Sequence, residues 1–366
     1  MENKKTLLYF CSDFAIGLSA MMIDQLIAIK KAGINVIAIG GDTEQEKGLS
    51  EFASKNGVDI IRIKGLDKHE NFNMLTSTIS EIVKSNNVDI IHVQNNWQLT
   101  LVGIMKFKLA RKNRPKVIYT VHAFRHNHPI KSKIAQLMIG GALFLFADHI
   151  ICMTDYVKNK FKVLTYKIKK IPLGVKDNYF TETFNCPNVD SLKIIFPAQF
   201  RTGKNQDLII RAFYEFIKVS KDKHAKLILP GNGDLLNAMK SLTRELGIEN
   251  QVIFTGFVPK DIVKNLYLES NVAIVASNSE TFGQSIVEPF VLGRCVVSTP
   301  VGIAPEIIKK DKNGFIFNTK EDLTKILIKL NENKDALRTI GLNNYNLRDQ
   351  FNWKNVTEIY KNIFNL

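Results

Sequence analysis

Short apolar runs alternate with amphipathic segments along nearly the whole of this chain of 366 residues. The apolar runs have the length of buried strands, and the segments between them repeat apolar residues at helical spacing. Because parallel strands are joined by crossover helices, the alternation predicts an α/β fold in which helices cover both faces of a parallel sheet. In the first half we predict strands at Leu7–Phe10, Val36–Ile39, Ile60–Ile63, Ile90–Val93, Val117–Val121, Ile150–Met153 and Ile168–Ile171, and helices at Leu18–Ala32, Phe72–Ser85, Leu99–Lys112 and Lys131–Ala147.

The alternation is interrupted at the polar stretch Thr181–Ser191, which contains Pro187 and has no clear period. We interpret this stretch as an interdomain linker, since the chain is longer than one compact core usually allows. The sequence therefore predicts two doubly wound, Rossmann-like domains, residues 1–180 and 181–352, facing each other across a ligand-binding cleft. In the second domain the predicted strands are Ile194–Ala198, Leu227–Leu229, Val252–Thr255, Val272–Val275 and Val296–Ser298, and the predicted helices are Gln206–Lys218, Leu235–Leu246, Lys260–Leu268, Gln284–Leu292 and Glu321–Leu330.

Charge is distributed unevenly along the chain. The net charge is +15, and the segment Lys106–Lys176 holds 16 Lys and Arg against two acidic residues, whereas residues 177–366 are close to neutral. Such an excess indicates an anionic partner, which is a nucleic acid, a phosphorylated ligand or a membrane surface. The same segment contains the apolar stretch Ile134–Ala147, which is shorter than the ~20 residues that span a bilayer. It is typical of a buried core helix or of a helix at a membrane surface.

The N-terminus and the cysteines indicate a cytoplasmic protein. Met1–Lys5 is polar and runs into a strand-length apolar segment, which differs from the core of a signal peptide. The four cysteines are far apart and form no paired motif, so we expect neither disulfides nor a cysteine-based zinc site. We therefore expect a reducing compartment.

Two carboxylates lie eight positions apart in the second domain. Glu280 follows the predicted strand Val272–Val275, and Glu288 lies about one turn inside the helix that begins at Gln284. The N–H groups that follow Gly283 begin this helix, where an anion is favoured. A ligand with a phosphate and several hydroxyls suits these groups, although the spacing alone is equally typical of a solvated pair of carboxylates.

Loops after two other predicted strands carry cations and glycines. Arg201 and Lys204 follow the first strand of the second domain, where two cations suit a pyrophosphate. Taken alone, they are also typical of ordinary surface residues. Gly231 and Gly233 follow a strand and allow a ligand to approach the backbone, but their G-x-G spacing lacks the third glycine of the dinucleotide fingerprint.

The first domain contains fewer candidate residues. Gly17 lies at the N-terminus of the first helix, and His122 follows the predicted strand that ends at Val121. A lone histidine there is as typical of structure as of catalysis. A metal site formed by His122, His126 and His128 is the weaker interpretation, because no Cys or Asp lies near them at ligand spacing and no Walker, zincin or nucleophile-elbow motif occurs.

Together these segments resemble the GT-B retaining glycosyltransferases of family 4, over nearly the whole chain. The core of the resemblance is Glu280…Glu288 within SNSETFGQSIVEPFVLGRCVVSTPVGIAPEII. The R-x-x-K pair, PGNGD after a strand, VIFTGFVP and the histidine of YTVHAF support it. The C-terminal FNWKNVTEIYKNIF resembles the helix, here residues 353–366, that crosses back to pack on the first domain. The resemblance implies the GT-B fold.

The resemblance also implies a role for each matching residue. Arg201 and Lys204 hold the donor diphosphate and stabilise the departing nucleotide. Glu280 binds hydroxyls of the donor sugar, and Glu288 binds those of the ribose. His122 contacts the transferred sugar or its phosphate.

The remaining implied contacts surround the nucleotide. Gly17 lets the phosphates approach the first domain, and the base lies near Gly231–Gly233 and Gly256–Pro259. The implied catalytic residues are Arg201, Lys204, Glu280 and His122. The implied donor-binding residues are Gly17, Gly231, Gly233, Phe257, Val258, Thr281, Phe282, Gly283, Gln284 and Glu288.

The implied reaction is retaining transfer of a hexose-type sugar from a UDP- or GDP-linked donor. No cofactor and no bound metal are implied, because the two cations neutralise the leaving diphosphate. We expect the acceptor to be a glycan, in particular a polyprenyl-diphosphate-linked oligosaccharide of bacterial surface polysaccharide synthesis. The basic segment then contacts the anionic inner face of the membrane. The chain departs from the family's common residues at Thr281, Pro289 and Cys295, and it has Ile16-Gly17 where the family has a glycine pair. These departures affect which donor sugar fits the site.

Other interpretations remain at this stage. A basic nucleic-acid-binding protein explains the charge, but the chain has no recognised nucleic-acid module, so we expect no nucleic-acid partner. A GT-B relative with epimerase or inverting chemistry shares the fold but lacks this combination of Arg201 and Lys204 with the two glutamates. A catalytically inactive glycan-binding protein is a third alternative. The complete set of motifs in this chain argues against it, because a protein that only binds glycans does not need them.

Overall fold

The chain divides into two compact units. The computed structural model describes residues 5–11, 16–42, 44–66, 71–122, 140–186 and 190–366. One unit comprises Met1–Gly174 together with Trp353–Leu366, and the other comprises Val175–Asn352. Each unit contains one parallel sheet with helices, so the predicted pair of α/β domains is confirmed.

The first unit is built on a seven-stranded parallel sheet in the order β3-β2-β1-β4-β5-β6-β7. β1 is buried along its whole length, as expected for a central strand of a sheet with both faces covered. All seven strands correspond to predicted ones, with small shifts at their ends. They are β1 Thr6–Phe10, β2 Asn35–Gly40, β3 Ile60–Arg62, β4 Val88–Val93, β5 Lys116–Thr120, β6 His149–Cys152 and β7 Ile168–Lys170.

Helices of the first unit form where apolar residues recur at helical spacing. α3 has the predicted bounds and buries Leu75, Ile79 and Val83. α4 ends at Lys108 and not at Lys112, because Leu109 takes an extended conformation and a separate 3-10 turn, Arg111–Asn113, follows. The helices before the second unit are α1 Ile16–Lys31, α2 Glu44–Lys55, α3 Phe72–Ser85, α4 Asn96–Lys108, α5 (residues 140–146) and α6 Asp155–Lys158.

α5 is the described part of the predicted helix Lys131–Ala147, whose residues 131–139 lie outside the described residues. It packs on α4, where Gly103 leaves room for the ring of Phe146. No helix in the described part of the chain has both the length and the apolar character needed to cross a membrane.

The second unit is built on a six-stranded parallel sheet in the order β10-β9-β8-β11-β12-β13. The strands are β8 Lys193–Ile195, β9 Lys226–Pro230, β10 Val252–Gly256, β11 Val272–Val275, β12 Cys295–Ser298 and β13 Gly314–Ile316. The helices are α7 Gln206–Ser220, α8 Leu236–Glu245, α9 Lys260–Glu269, α10 Gln284–Val291, α11 Ala304–Ile307, α12 Lys320–Glu332 and α13 Lys334–Asn346.

Both sheets reverse their strand order beside the first strand of the unit. In the first unit β1 lies between β2 and β4, and in the second unit β8 lies between β9 and β11. Loops that leave the carboxyl ends of the strands diverge at such a reversal and leave a crevice in which doubly wound proteins bind ligands. The loops after β8 and β11 are therefore the first place to look for a site in the second unit.

The last helix, α14 Trp353–Phe364, returns to the first unit as the sequence predicts. It buries Trp353 and Tyr360, and the Tyr360 hydroxyl lies 3.1 Å from Nδ1 of His92 on β4. Gly174 leaves room for the indole ring of Trp353, because a side chain there would collide with it. These contacts place α14 in the core of the first unit.

The stretch predicted as a linker, Thr181–Ser191, lies shortly after the division between the two units. The division between the units falls at Gly174 and Val175, so this stretch belongs to the second unit. Glu182 forms an ion pair with Lys264 at 2.7 Å, and the ring of Phe184 packs against Tyr345. The polar composition of the stretch reflects hydrogen bonds made with its own unit.

Candidate functional site

Two loops of the second unit meet at the reversal of strand order. The cation loop, Arg201–Asn205, follows β8, and the carboxylate loop, Ala276–Gly283, follows the adjacent strand β11. Lys204 Nζ donates a hydrogen bond to Glu280 Oε1 over 2.5 Å, and the two side chains are 16% and 19% exposed. Arg201 is exposed to solvent. The structure thus joins Lys204 and Glu280, which the sequence predicts from separate motifs, in one ion pair.

Asn205 ties the two loops together through its side chain. Its Nδ2 donates to the carbonyl oxygen of Ala276 over 2.7 Å and to Oδ1 of Asn278 over 2.6 Å. The backbone N–H of Asn278 in turn donates to the carbonyl oxygen of Gly203 over 2.9 Å. Asn205 has φ +53°, in the left-handed region that asparagine tolerates better than most residues. Asn205, which the sequence analysis missed, therefore positions the ion pair.

Gly231 and Gly233 pack the loop after β9 against Ala198 and Phe200, in the segment that leads from β8 to the cation loop. Both have positive φ, and a side chain at either position would collide with the carbonyl oxygen of Ala198 or of Phe200. The N–H of Phe200 donates to the carbonyl oxygen of Asn232 over 2.9 Å. The glycines are thus required by loop packing, and their contact with a ligand stays a prediction.

The loop after β12 supports the carboxylate loop from another side. The N–H of Ile303 donates to the carbonyl oxygen of Phe282 over 2.8 Å. Gly302, with φ +53°, lies so close that a Cβ atom would collide with the same oxygen. The Phe282 side chain is 4% exposed and its ring centroid lies 6.4 Å from that of Phe351. Phe282 therefore anchors the carboxylate loop through its side chain.

We expect Gly302→Ala to displace the carboxylate loop. The added methyl group collides with the Phe282 carbonyl and comes close to Glu280 Cβ, and φ +53° is itself strained for alanine. The free energy of unfolding should fall by about 2–3 kcal/mol, and the activity of the site should fall with it. Urea unfolding and an activity assay measure the two effects.

Gly247→Ala is the matched control, because Gly247 has φ +67° but no neighbouring atom lies within 4 Å of the position that a Cβ atom would take. It carries the backbone strain alone, about 1 kcal/mol, and should keep full activity. Equal losses of stability and activity in the two variants would contradict the supporting role of Gly302.

α10 carries the second carboxylate of the motif. Gly283, with φ +93°, caps this helix, and Glu288 lies half-buried one turn inside it. Burial, and then the negative charge of Glu288, raises the pKa of both the Tyr179 and the Tyr267 phenols. Both phenols therefore stay protonated and uncharged at neutral pH.

Other predicted donor-binding residues also lie in the second unit. Phe257, directly after β10, is 82% exposed and offers a flat apolar ring on the surface. Val258, Thr281 and Gln284 are half-buried. They belong to the second unit, like the ion pair.

The first-unit candidates lie after strands of the first sheet. Gly17 is the second residue of α1. His122 follows β5, is 8% exposed, and has its Nε2 2.7 Å from Oε1 of Gln94. Burial lowers the pKa of His122 to about 4, so the ring is uncharged at neutral pH. Gln94 is a second residue that the sequence analysis missed.

The structure describes only one of the three histidines of the alternative metal site, His122, because His126 and His128 lie outside the described residues. Within the described ranges, no group of three or more His, Cys, Asp or Glu side chains is arranged to hold a metal ion.

The second-unit residues form a site suited to an anionic, hydroxylated ligand. Lys204 and the N-terminus of α10 favour negative charge. The carboxylates of Glu280 and Glu288 accept hydrogen bonds from hydroxyl groups. A ligand that combines phosphates with sugar hydroxyls uses both kinds of group.

Two family models match the chain. "Glycosyltransferase Family 4" matches residues 17–179, and "Glycosyl transferases group 1" matches residues 183–347. Together they span most of both units.

Individual relatives agree with these matches. The alpha-monoglucosyldiacylglycerol synthase of Streptococcus pneumoniae is 26% identical over 68% of this chain and 60% of its own length. The O-antigen biosynthesis glycosyltransferase WclY of Escherichia coli is 23% identical over 92% of this chain and 95% of its own. The crystal structure of Anabaena Alr3699/HepE in complex with UDP superposes with a TM-score of 0.79 at 18% identity, over 99% of this chain and 100% of that one. The chain therefore belongs to the glycosyl transferases group 1 family and is a glycosyltransferase with the GT-B fold.

Proposed function

We propose that this glycosyltransferase moves a hexose-type sugar from a nucleotide-diphospho-sugar to a glycan acceptor, with retention of anomeric configuration. The observation that carries the proposal is the ion pair of Lys204 and Glu280 where the strand order reverses, close in sequence to the N-terminus of α10. A cation for the diphosphate and a carboxylate for the sugar hydroxyls are thus held 2.5 Å apart. The bound UDP in the Anabaena structure supports a nucleotide donor.

In the proposed reaction the bond between the anomeric carbon and the diphosphate oxygen breaks first. Lys204 and Arg201 neutralise the negative charge that develops on the departing nucleoside diphosphate. The acceptor hydroxyl then attacks the anomeric carbon from the same face and passes its proton to a diphosphate oxygen. Glu280 orients the sugar through its hydroxyls and forms no covalent bond. The products are the glycosylated acceptor and a nucleoside diphosphate.

We also propose the other donor contacts that the family resemblance implies. Glu288 accepts hydrogen bonds from the ribose, and the exposed Phe257 ring, with Val258, contacts the base. Gly17 and His122 are the proposed contribution of the first unit to substrate binding. The transfer is proposed to need no metal ion, which the presence of two cations in the cation loop supports.

A donor screen tests the proposed function. The purified protein is incubated with UDP- and GDP-sugars and a lipid-linked glycan acceptor, and release of nucleoside diphosphate is measured in chelator and in Mg²⁺. We expect one donor to release nucleotide at the same rate in both conditions, and NMR of the product to show the anomeric configuration of the donor. If none of the donors releases nucleoside diphosphate, the proposed function is wrong. A product with inverted anomeric configuration contradicts retention.

We further propose a polyprenyl-diphosphate-linked oligosaccharide as acceptor and peripheral contact with the cytoplasmic face of a bacterial membrane. The first unit carries an aromatic–basic patch that supports this. Its exposed apolar members are Phe107, Phe144, Leu145 and Tyr166, and its cations are Arg114, Lys116, Lys167 and Lys169. Apolar rings interleaved with cations suit an anionic lipid surface.

Neutralising two cations of the aromatic–basic patch, Lys116→Gln with Lys169→Gln, should weaken binding to vesicles containing phosphatidylglycerol. Each lysine near such a surface contributes about 1 kcal/mol. Vesicle co-sedimentation measures the loss. The control pair is Lys221→Gln with Lys223→Gln, exposed residues of the second unit. Equal wild-type binding to neutral and anionic vesicles would argue against the membrane proposal.

A further inference from the structure

A groove that is open to solvent lies between α3 and the end of α4 in the first unit. Its volume is about 600 Å³, which is within the range of about 300–1,000 Å³ that small-molecule sites have. The residues that line this α3–α4 groove are Thr76, Ser77, Ser80, Glu81, Lys84 and Ser85 on α3 and Lys108 and Leu109 at the end of α4. Those on α3 recur at helical spacing, so they form one face of the helix over about 13 Å.

The α3–α4 groove lies away from the candidate substrate site of its unit. Lys84 and Lys108 belong to the last turns of α3 and α4, which lead into β4 and β5. This end of the groove is therefore near the amino ends of the two strands, whereas His122 follows the carboxyl end of β5. Doubly wound units bind their substrates at the carboxyl ends. A ligand in the groove is thus separate from that crevice.

Three hydroxyl groups of the groove accept hydrogen bonds and have no hydrogen left to donate. Ser80 Oγ donates to the carbonyl oxygen of Thr76 over 2.7 Å. Ser85 Oγ donates to that of Glu81 over 2.8 Å. Thr76 Oγ1 donates to that of Asn73 over 2.9 Å. Because a hydroxyl has one hydrogen, its remaining lone pairs only accept. These oxygens and the Glu81 carboxylate favour a ligand that has several hydroxyl groups to donate.

Two lysines give the groove a net positive charge. Lys84 and Lys108 are exposed, and in the part of the chain that the structure describes neither forms an ion pair. Lys108 Nζ makes one long contact, 3.5 Å, with Thr76 Oγ1, so its other N–H groups are available. Two cations against the one carboxylate of Glu81 favour a ligand with an anionic group.

Lysines near helix ends commonly interact with the last carbonyl groups, but here other side chains do so. At the end of α3, Asn86 Nδ2 donates to the carbonyl oxygen of Ile82 over 2.9 Å. At the end of α4, Arg114 Nε donates to the carbonyl oxygen of Leu109 over 3.1 Å. The two lysines of the groove are therefore available to a ligand.

We infer that the α3–α4 groove binds an anionic saccharide, that is, a sugar residue that carries a carboxylate or a phosphate group. The sugar hydroxyls donate to Ser80, Ser85 and Glu81, and the anionic group accepts hydrogen bonds from Lys84 and Lys108. The site takes no part in sugar transfer, so it goes beyond the proposed function. It rests on that function only for the source of the saccharide, which is a residue of the glycan acceptor.

Saturation-transfer NMR with glucuronic acid as the probe tests the site in the full-length protein. We expect binding in the millimolar range, because a single sugar in an open groove makes few contacts. Glucose 1-phosphate should compete at similar concentrations, whereas glucose and inorganic phosphate, which each lack one of the two features, should need at least about fivefold more. A mixture of UDP and GDP should displace nothing.

Three results of these titrations overturn the inference. Absence of glucuronic acid binding removes the site. Displacement by the nucleotides assigns the saccharide to the candidate donor site. Competition by inorganic phosphate as strong as that by glucose 1-phosphate shows a phosphate site that does not recognise sugar.

Variants locate the binding in the groove. Lys84→Gln with Lys108→Gln should weaken glucuronic acid binding about tenfold, since both cations are lost. The matched control is Lys30→Gln with Lys55→Gln, exposed lysines in the last turns of α1 and α2 of the same unit. This pair carries the same change of charge and should bind as the wild type does. Equal losses in the two double variants, or none in the first, contradict the assignment.

The binding measurements need no turnover, so they separate this inference from the proposed function. A protein that binds glucuronic acid through Lys84 and Lys108 but transfers no sugar keeps the saccharide site and rejects the proposed function. A protein that transfers sugar but fails the binding test does the reverse.

Discussion

Replacing Lys204 by methionine should reduce kcat/KM for sugar transfer by about 10²–10³-fold. Methionine keeps the length of the side chain but removes the charge that, in the proposed reaction, neutralises the leaving diphosphate. Losses of that size follow removal of one such group from an active site. The free energy of unfolding should fall by about 1–3 kcal/mol, because the largely buried Glu280 carboxylate loses its partner. Transfer kinetics and urea unfolding separate the two quantities.

Lys218→Met is the matched control for this variant. Lys218 belongs to the same unit and lies 3.9 Å from Glu215 on the exposed face of α7. Its replacement should leave both transfer and stability unchanged. Full activity in Lys204→Met, or a comparable loss of activity in Lys218→Met, would contradict the assignment of Lys204 to the catalytic site.

Glu280→Gln should reduce kcat/KM by about 10²-fold or more. Glutamine keeps the size of the side chain but weakens the hydrogen bonds from sugar hydroxyls, since bonds to a charged acceptor are roughly twice as strong. Lys204 also loses its partner at 2.5 Å, so its ammonium group is less well positioned for the diphosphate. Because we propose that Glu280 contacts the sugar and not the nucleotide, the affinity for free nucleoside diphosphate should change much less than kcat/KM.

Glu215→Gln serves as the control, since it breaks the exposed ion pair with Lys218. We expect it to match the wild type in both transfer and nucleotide binding. If Glu280→Gln instead lost nucleotide affinity and transfer in equal proportion, Glu280 would be assigned to the nucleotide and not to the sugar.

Most of the fold can be predicted from the hydrophobic pattern, because strands buried in a parallel sheet consist of continuous apolar runs. The pattern fails where the elements are short or poor in helix formers. β13, Gly314–Ile316, has three residues and lies close to a run of lysines. α13 contains several asparagines and Gly341, which has low helix propensity. Gly341 is required because a side chain there would collide with the carbonyl oxygen of Gly293.

The site follows from the sequence only in part. Charged residues such as Lys204 and Glu280 belong to recognisable motifs, so they can be identified from the resemblance to the family. Asn205, Gly302 and Gln94 act through hydrogen bonds and close packing between loops that are far apart in the sequence. An asparagine at a helix start and a glycine after a strand are ordinary features of loops. Only the register of the strands brings these residues next to their partners.

Titration of UDP and of GDP into the wild type and into Lys204→Met, followed by calorimetry, tests the central claim most directly. We predict that one nucleotide binds the wild type and that its affinity falls at least about tenfold in Lys204→Met, the loss expected for one charge-assisted contact. The control Lys218→Met should bind as the wild type does. Absence of binding by the wild type, or equal affinity in Lys204→Met, would contradict the assignment of the donor site to the cation loop and the carboxylate loop.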